Sequence, residues 1–183
     1  QAPYLVLATK DGLVKKTALT EYDTNRTGGL IAINLKEGDE LVSARLVDDA
    51  GELIMVSAKG MSVRFRADDL RAMGRATSGV IGMRFRDGDH TLAMDVIRPN
   101  CDLVTVTDGG FAKRTPLSEW NTKGRAGLGV RAMKLVEERG SLVGALVSEP
   151  DDSIFAIASN GVVIRTPVAD IRQTSRDGGA DAA

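Results

Sequence analysis

The segment DLVTVTDGGFAKRT, residues 102–115, has the pattern of a β-hairpin. An apolar stretch at 103–106 precedes the pair Gly109-Gly110, and a stretch with alternating side chains follows at 111–115. Paired glycines tolerate the positive φ angles that tight hairpin turns require. The segment therefore predicts two antiparallel strands joined by a short turn.

This hairpin pattern occurs four times along the chain, at intervals of 48, 50 and 51 residues. The aligned turn glycines are Gly12, Gly60, Gly110 and Gly161. A cation stands four positions after each of them, at Lys16, Arg64, Arg114 and Arg165. Repeats of this length are typical of arrays in which one unit is too small to bury a core alone.

Each repeat continues with an acidic residue, a glycine-bearing loop and two further apolar stretches. The acids are Glu21, Asp69, Glu119 and Asp170. Third strands are predicted at 30–35, 80–85 and 130–135, and fourth strands at 41–44, 91–94 and 142–145. Four short strands per repeat of about 50 residues predict an all-β propeller of about four blades, with the long first strand innermost.

We predict one domain over residues 1–176. Its repeats are expected at 4–51, 52–101, 102–152 and, incompletely, 153–176. The chain begins with Gln1 inside a repeat, so we expect it to be part of a longer protein. Residues 177–183 are predicted to form a disordered tail.

The composition indicates an intracellular globular protein. The chain has 183 residues, of which 43% are hydrophobic, and it contains neither an apolar run of membrane-spanning length nor a signal peptide. Cys101 is the single cysteine, so no internal disulfide is possible.

The sequence offers no catalytic constellation. His90 is the single histidine and lies beside a predicted turn, and with Cys101 alone it cannot form a zinc site. Neither a phosphate-binding Walker sequence nor a nucleophile elbow occurs. We therefore predict no catalytic residue, no metal and no cofactor, which excludes a hydrolytic propeller enzyme.

The charges leave two function classes open. The net charge of −1 argues against nucleic-acid binding and favours a propeller that binds other proteins. However, the acids concentrate in turns, whereas the cations concentrate between each hairpin and the next glycine loop. Within an array, this segregation predicts differently charged faces or rims.

The repeated cation has two interpretations. It either forms a salt bridge with the repeated acid of its blade or contacts phosphate, and the acid itself either forms that pair or caps the turn after the second strand. Arginines in the glycine loops are stronger phosphate candidates, because glycine permits close approach of the backbone and arginine binds phosphate bidentately.

One glycine loop carries a family resemblance. Residues Lys123-Gly124-Arg125-Ala126-Gly127-Leu128-Gly129 resemble the gyrase-A box, usually Gln-Arg-Arg-Gly-Gly-Lys-Gly, of the DNA gyrase A C-terminal domain. Arg125, Gly127 and Gly129 match that motif, and the other four positions differ. The phrases at 12–17 and 110–115 resemble the blade signature of the same domain, and the likeness extends over 4–176.

The resemblance implies a β-pinwheel, a propeller whose neighbouring blades exchange strands. It also implies that a basic outer rim binds, bends and wraps double-stranded DNA without reading its sequence. In that family the domain supports ATP-dependent negative supercoiling by a type II topoisomerase, together with the rest of gyrase A and with gyrase B. The implied location is the bacterial cytoplasm at the nucleoid, and we expect the fragment to be monomeric.

The cations and the box-like loop 123–129 together form the predicted DNA interface. The predicted contacts are Lys15, Lys16, Arg26, Arg64, Arg66, Arg75, Arg84, Lys113, Arg114, Lys123, Arg125, Arg131, Lys134, Arg165 and Arg176. The alternative within the resemblance is the C-terminal domain of topoisomerase IV, whose box is absent or degenerate and which wraps DNA weakly.

Overall fold

The computed structural model describes residues 3–182 and consists of short antiparallel strands. Residues 1, 2 and 183, which the predicted domain and tail include, lie outside the described residues. In chain order the strands are β1 (Tyr4–Thr9), β2 (Leu13–Ala18), β3 (Leu41–Val47), β4 (Glu52–Ser57), β5 (Met61–Arg66), β6 (Val80–Ile81), β7 (Thr91–Val96), β8 (Asp102–Thr107), β9 (Phe111–Pro116), β10 (Val130–Arg131), β11 (Leu142–Ser148), β12 (Ser153–Ile157), β13 (Val163–Pro167) and β14 (Asp181–Ala182).

Helical structure within residues 3–182 is limited to five 3₁₀ turns. They span Leu19–Tyr22, Ala67–Asp69, Leu117–Glu119, Glu137–Arg139 and Val168–Asp170. Four of the five follow directly on the second strand of a hairpin and carry the repeated acid. No helix in the described part of the chain is long and apolar enough to cross a membrane.

The strands form three four-stranded sheets and one hairpin. The sheet orders are β3-β1-β2-β6, β7-β4-β5-β10 and β11-β8-β9-β14, and the hairpin is β12-β13. We call these units blades 1 to 4. The predicted all-β fold with four-stranded blades is therefore confirmed.

Neighbouring repeats exchange a strand. In blade 1, Val80 and Ile81 of the second repeat pair with Val14 and Leu13 of the first. The third repeat gives β10 to blade 2 in the same way, and the fourth repeat gives β14 to blade 3. Each exchanged strand lies at one edge of its sheet, next to the second strand of the hairpin that accepts it.

This exchange corrects the predicted third strands. In the segments 80–85 and 130–135, only the first two residues form a strand. That strand pairs with the hairpin of the preceding blade rather than with its own. The predicted strand at 30–35 does not form. The equivalent segments of the later repeats pair with the hairpin of the preceding repeat. Residues 3–182 contain no hairpin before the first repeat with which segment 30–35 could pair.

The order of strands across each blade also differs from the prediction. The fourth strands β3 and β11 both contact the fourth strand β7 between them, so these three strands form the inner side of the array. The first strands β1, β4 and β8 lie second, between the fourth strand and the hairpin partner. They are apolar because sheets cover them on both faces, and Val6, Leu53 and Val104 are fully buried.

The hydrophobic core lies between blades. Val14 and Phe65, from the hairpins of blades 1 and 2, belong to one buried cluster with Met83. Ile54 and Leu103, from blades 2 and 3, belong to the next. The glycine loops and exchanged strands consequently lie at the outer edge, which we call the outer rim.

The predicted disordered tail is corrected for residues 177–182. Asp181 and Ala182 pair with Ala112 and Phe111 of blade 3, and Ala180 is buried. These ladder hydrogen bonds and this burial order the segment. Within residues 3–182, blade 4 consists of its hairpin, and the side chain of Phe155 on it is exposed.

Candidate nucleic-acid interface

In blades 1 to 3, the repeated cation after the hairpin glycine joins its blade to the next repeat. Its side chain donates hydrogen bonds to backbone carbonyls at the 3₁₀ turn that follows the next hairpin. The acceptors are the carbonyls of Ala67 for Lys16 (3.0 Å), Leu117 for Arg64 (2.9 Å) and Ile171 for Arg114 (2.7 Å). Three of the four repeated cations therefore act as links between repeats.

The two arginines in this set also pair with an acid at the start of their own first strand. Arg64 donates two hydrogen bonds to Glu52, and Arg114 donates to Asp102 Oδ2 at 2.8 Å. Burial disfavours the charge on Glu52, but hydrogen bonds from Arg64 and Thr122 outweigh it and lower the pKa of that carboxyl.

Lys16 satisfies its charge differently. Its Nζ lies 4.6 Å from the centre of the Tyr4 ring, and Tyr4 stands where the other repeats carry Glu52 and Asp102. The same Nζ lies 3.0 Å from Asp49 Oδ1, and the lysine side chain is 4% exposed. Lys16 is thus largely enclosed by its partners.

Among residues 3–182 the repeated acid does not pair with the repeated cation, so the first of the two interpretations, a salt bridge within the blade, was wrong. The acids that pair with Arg64 and Arg114 are the first residues of their first strands, whereas the repeated acid follows the second strand. Glu119 instead accepts a hydrogen bond from the backbone N–H of Arg176, in the next glycine loop. Arg165, in blade 4, is exposed and forms no side-chain hydrogen bond with residues 3–182.

Lys15 and Lys113 require a correction, because each is 1% exposed rather than available to phosphate. Lys113 Nζ donates to the backbone carbonyls of Ser175 (2.8 Å), Arg176 (2.9 Å) and Gly178 (3.0 Å). Lys15 Nζ donates to the carbonyls of Ala32 (2.6 Å), Arg75 and Thr77 (3.2 Å). Both lysines therefore hold glycine loops from beneath, and we leave them out of the candidate interface.

The surroundings of these lysines shift their acidity. Burial lowers the pKa of Lys113 to about 8, although the carboxylates of Asp177 and Glu119 oppose that shift. Burial, and then the charge of Arg75, lower the pKa of Lys15. At neutral pH Lys113 remains mostly charged, which suits its three carbonyl acceptors.

The arginines of the second, third and fourth glycine loops each hold the adjacent outer-rim segment of the preceding repeat. One guanidinium nitrogen donates to a backbone carbonyl of that segment. The pairs are Arg75 with Ile31 (3.0 Å), Arg125 with Ile81 (2.9 Å) and Arg176 with Arg131 (3.2 Å). A guanidinium has five N–H donors, so further donors are available for phosphate.

Two positions of the box-like loop, Ala126 and Gly129, have a backbone conformation that favours glycine. Gly129 has a φ of 78°, and an added Cβ would overlap the carbonyl oxygen of Ser62. Ala126 has a φ of 73°, although the usual motif has glycine there. A left-handed conformation is unfavourable for alanine, so this loop holds a strained residue.

Replacing Ala126 by glycine is therefore expected to stabilise the protein by about 1 kcal/mol, because glycine adopts positive φ without steric cost. Ala76 is the matched control, since it occupies the same loop position without a positive φ. Urea unfolding of both variants checks this prediction. An Ala126→Gly protein no more stable than Ala76→Gly would contradict it.

The remaining predicted cations point to solvent on the outer rim. Their side chains are exposed and have neither a hydrogen bond nor an ion pair within the described residues. They are Arg26, Arg84, Lys123, Arg131 and Lys134. Arg66 is exposed as well, but it pairs with Asp68 at 2.7 Å. Hydrogen bonds from Arg66 lower the pKa of that aspartate.

Two further exposed cations, Lys36 and Arg86, were not among the contacts predicted from the sequence. Both are exposed and stand seven residues after the last glycine of their loops, Gly29 and Gly79. Arg84 and Lys134 likewise stand five residues after Gly79 and Gly129. Alignment on the loop glycine, rather than on the hairpin glycine, would have revealed both series.

No cluster of three or more His, Cys, Asp or Glu side chains suited to a metal ion occurs within residues 3–182. His90 lies beside the turn before β7, and Cys101 is buried, which raises the pKa of its thiol. The described site is therefore a basic, strand-exchanged rim.

A propeller with exchanged edge strands and cations along its outer rim belongs to the β-pinwheel class. The family model for the DNA gyrase C-terminal domain, beta-propeller, matches residues 3–48, 51–98, 102–149 and 152–179. The chain belongs to this family, as its blade phrases and box-like loop predicted.

Individual relatives agree with this assignment. The gyrase A protein of Streptomyces coelicolor is 57% identical over 182 residues, covering 96% of this chain and 21% of that protein. A solved C-terminal domain of DNA topoisomerase IV superposes with a TM-score of 0.93 at 27% identity, covering 100% of this chain and 58% of the other. A DNA gyrase A C-terminal domain gives 0.89 at 27% identity, covering 98% and 60%.

Proposed function

We propose that this chain binds and bends double-stranded DNA along its outer rim without reading base sequence. The observation that carries the proposal is the set of unpaired cations on successive exchanged strands and the segments that follow them. Arg84 follows β6, Arg131 lies on β10, and Lys134 follows β10. Membership of the gyrase C-terminal family supports the same role.

The physical basis is neutralisation of phosphates. Each rim cation that contacts a phosphate releases condensed counterions, so binding is driven by charge and weakened by salt. Bending a site of about 20–30 bp costs roughly 1–6 kcal/mol, which contacts distributed over several blades offset. Arg131 and Lys134 of one repeat and Arg84 of the preceding one provide such a distribution.

Within the longer protein, the proposed task is to support ATP-dependent negative supercoiling by gyrase, together with the rest of gyrase A and with gyrase B. The proposed location is the bacterial cytoplasm, at the nucleoid. We assign this part of the enzyme no catalytic group and no cofactor, and we expect it to be a monomer when isolated. Its role is to hold DNA for chemistry performed elsewhere.

A weaker, topoisomerase IV-like form of wrapping is the second candidate. Gly124 and Leu128 stand where the usual box carries arginine and lysine, so this loop lacks two cations of the box. Lys123, at the first position of the box, offsets that loss in part. The size of the DNA bend separates the two candidates.

The test compares two charge-matched double variants. Arg84→Gln/Lys134→Gln removes two unpaired rim cations. Arg45→Gln/Arg98→Gln removes two cations away from the rim, which pair with Asp95 and Glu149 respectively, each at 3.1 Å. We expect the rim variant to bind a duplex of about 40 bp roughly tenfold more weakly at moderate salt, and the control to bind like the unmodified chain.

Electrophoretic shift at low and moderate salt gives the affinities, and fluorescence transfer between the duplex ends gives the bend. Two results would each reject the proposal: no binding at low salt, or equal losses in the two double variants. Binding with a small bend would favour the topoisomerase IV-like candidate.

A further inference from the structure

One carboxylate on the inner side of the array is hydrogen-bonded to three successive blades. Asp95 lies on β7, the inner strand of blade 2. Its Oδ1 accepts from Arg45 Nε of β3 at 3.1 Å and from the backbone N–H of Val96 at 2.8 Å. Its Oδ2 accepts from the backbone N–H of Val147 on β11 at 2.8 Å. Among residues 3–182, no other side chain forms hydrogen bonds with both the preceding and the following repeat.

Asp95 also satisfies the free edges of two sheets. Both β7 and β11 are edge strands, and an edge strand presents N–H groups that have no ladder partner on its free side. Val96 and Val147 occupy the same repeat position, opposite Leu53 and Leu103 respectively. The carboxylate accepts from the N–H groups of both valines. Two inner strands that belong to different sheets are thus joined through one side chain.

The position of Asp95 carries a different residue in each of the first three blades. The equivalents are Arg45 in blade 1 and Leu146 in blade 3. The arginine and the aspartate have opposite charges and pair across the junction of blades 1 and 2. Because leucine offers no donor, the second carboxylate oxygen bonds the backbone of blade 3 instead. Both junctions of blade 2 therefore depend on the same charged group.

We propose that Asp95 is a positioning residue that fixes the angles between blades 1, 2 and 3, and thereby the curvature of the outer rim that bends DNA. This inference rests on the proposed function, because it assigns control of the DNA bend to a residue outside the DNA-contacting surface. Asp95 lies at the opposite edge of blade 2 from the exchanged strand β10. It therefore acts through the packing of the blades and not by touching DNA.

The physical reason is the width of a blade. Four strands spaced by about 4.8 Å make a sheet about 14 Å wide, so a change of about 1 Å between two inner strands tilts their blades by about 4°. A bent duplex resists bending elastically, and it therefore acts to straighten the rim around which it lies. Straightening a convex rim separates the inner strands. Asp95 opposes that separation at two successive junctions.

Asp95→Asn removes one of these links with almost no change in shape. An amide has one acceptor oxygen, so it can serve either Arg45 and Val96 or Val147, and its NH₂ group then faces a donor. On binding of the duplex of about 40 bp, we expect the gain in fluorescence transfer between the duplex ends to be about half that of the unmodified chain. The affinity should stay within about threefold, with an unchanged salt slope, because the rim cations are intact.

Asp89→Asn is the matched control, because it removes the same charge from the same repeat. Asp89 Oδ1 accepts from the backbone N–H groups of Lys59 and His90, and both donors belong to its own repeat. We expect this variant to bend DNA like the unmodified chain. An equal bend in Asp95→Asn and Asp89→Asn would overturn the inference.

The failure of this inference and the failure of the proposed function give different results. Absence of duplex binding by the unmodified chain would reject the proposed function. Binding with the same bend in the unmodified chain and in Asp95→Asn would reject only the role of Asp95. Arg45→Gln/Arg98→Gln is expected to keep the bend, since glutamine Nε2 stands at the chain position of arginine Nε and can donate to Asp95.

The distance between blades 1 and 3 tests the link without DNA. Thr20 and Ser118 are the exposed second residues of equivalent 3₁₀ turns in these blades. Spin labels on Thr20→Cys and Ser118→Cys, in a Cys101→Ala background, report their separation. We expect the distance distribution to become about twofold broader in Asp95→Asn, through hinging of the blades, and to remain unchanged in Asp89→Asn. Equal distributions in the two variants would contradict the positioning role.

Hydrogen exchange of the unmodified chain keeps the test decisive if Asp95→Asn does not fold. Leu46 is the blade 1 equivalent of Val147, and its N–H has no side-chain acceptor within the described residues. After correction for intrinsic rates, we expect the Val147 amide to exchange about tenfold more slowly than that of Leu46. Equal exchange of these two amides would show that Asp95 does not hold the edge of β11, and would overturn the inference.

Discussion

Replacing Arg114 by methionine is expected to lower the free energy of unfolding by about 3 kcal/mol. Methionine keeps much of the aliphatic volume but removes the guanidinium. The Asp102 carboxylate then loses its ion pair, although its side chain is only 8% exposed, and the Ile171 carbonyl loses its donor. A buried charge without its partner is costly, so the loss exceeds that of an ordinary surface substitution.

Arg165→Met is the matched control for this prediction. Arg165 occupies the same repeat position, yet it is exposed and has no side-chain partner in the described part of the chain. Its replacement is expected to change stability by no more than about 0.5 kcal/mol. Urea unfolding followed by circular dichroism gives both values. Similar losses in the two variants would refute the linking role of the repeated cation.

Gly129→Ala is expected to cost about 2–3 kcal/mol and to weaken DNA binding as well. The residue has a φ of 78°, and the new methyl group would overlap the Ser62 carbonyl of blade 2. The segment must then move away from β5, which displaces the adjoining strand β10 and Arg131 on it. Both the fold and the rim therefore depend on this glycine.

Gly124→Ala tests whether any methyl group in this loop has the same effect. Gly124 has no positive φ, and no atom lies within 4 Å of an added Cβ. We expect this variant to unfold within about 0.5 kcal/mol of the unmodified chain and to retain its DNA affinity. If Gly129→Ala matched Gly124→Ala in stability and in DNA affinity, the result would contradict close packing of the loop on β5.

The hairpins could be predicted because their determinants are local. The stretch 102–115 carries an apolar strand, a turn glycine and an alternating strand, and it forms β8 and β9. The exchange of strands could not be read from the residues alone. Val80 and Ile81 are equally suited to any hairpin edge, and which edge they join depends on how neighbouring repeats pack. Only the family resemblance implied the exchange.

The sequence identified the cations of the repeats, but it could not show which of them the packing of neighbouring repeats would bury. Lys15 and Lys16 alternate along β2, so the sequence placed them on opposite faces, but neighbouring units enclose both. A buried lysine has no separate signature in a single sequence, since charge alone does not distinguish Lys113 from Lys134. Alignment of the repeats on the loop glycine, rather than on the hairpin glycine, does distinguish Arg84 and Lys134, because both then occupy the same repeat position.

The salt dependence of duplex affinity tests the proposed rim most directly. For a charge-driven interface, the logarithm of the binding constant falls linearly with the logarithm of salt concentration, by about 0.9 for each neutralised phosphate. We predict a steep slope for the unmodified chain, a slope shallower by about 2 for Arg84→Gln/Lys134→Gln, and an unchanged slope for Arg45→Gln/Arg98→Gln. Binding that ignores salt, or one slope shared by all three proteins, would contradict DNA binding by this outer rim.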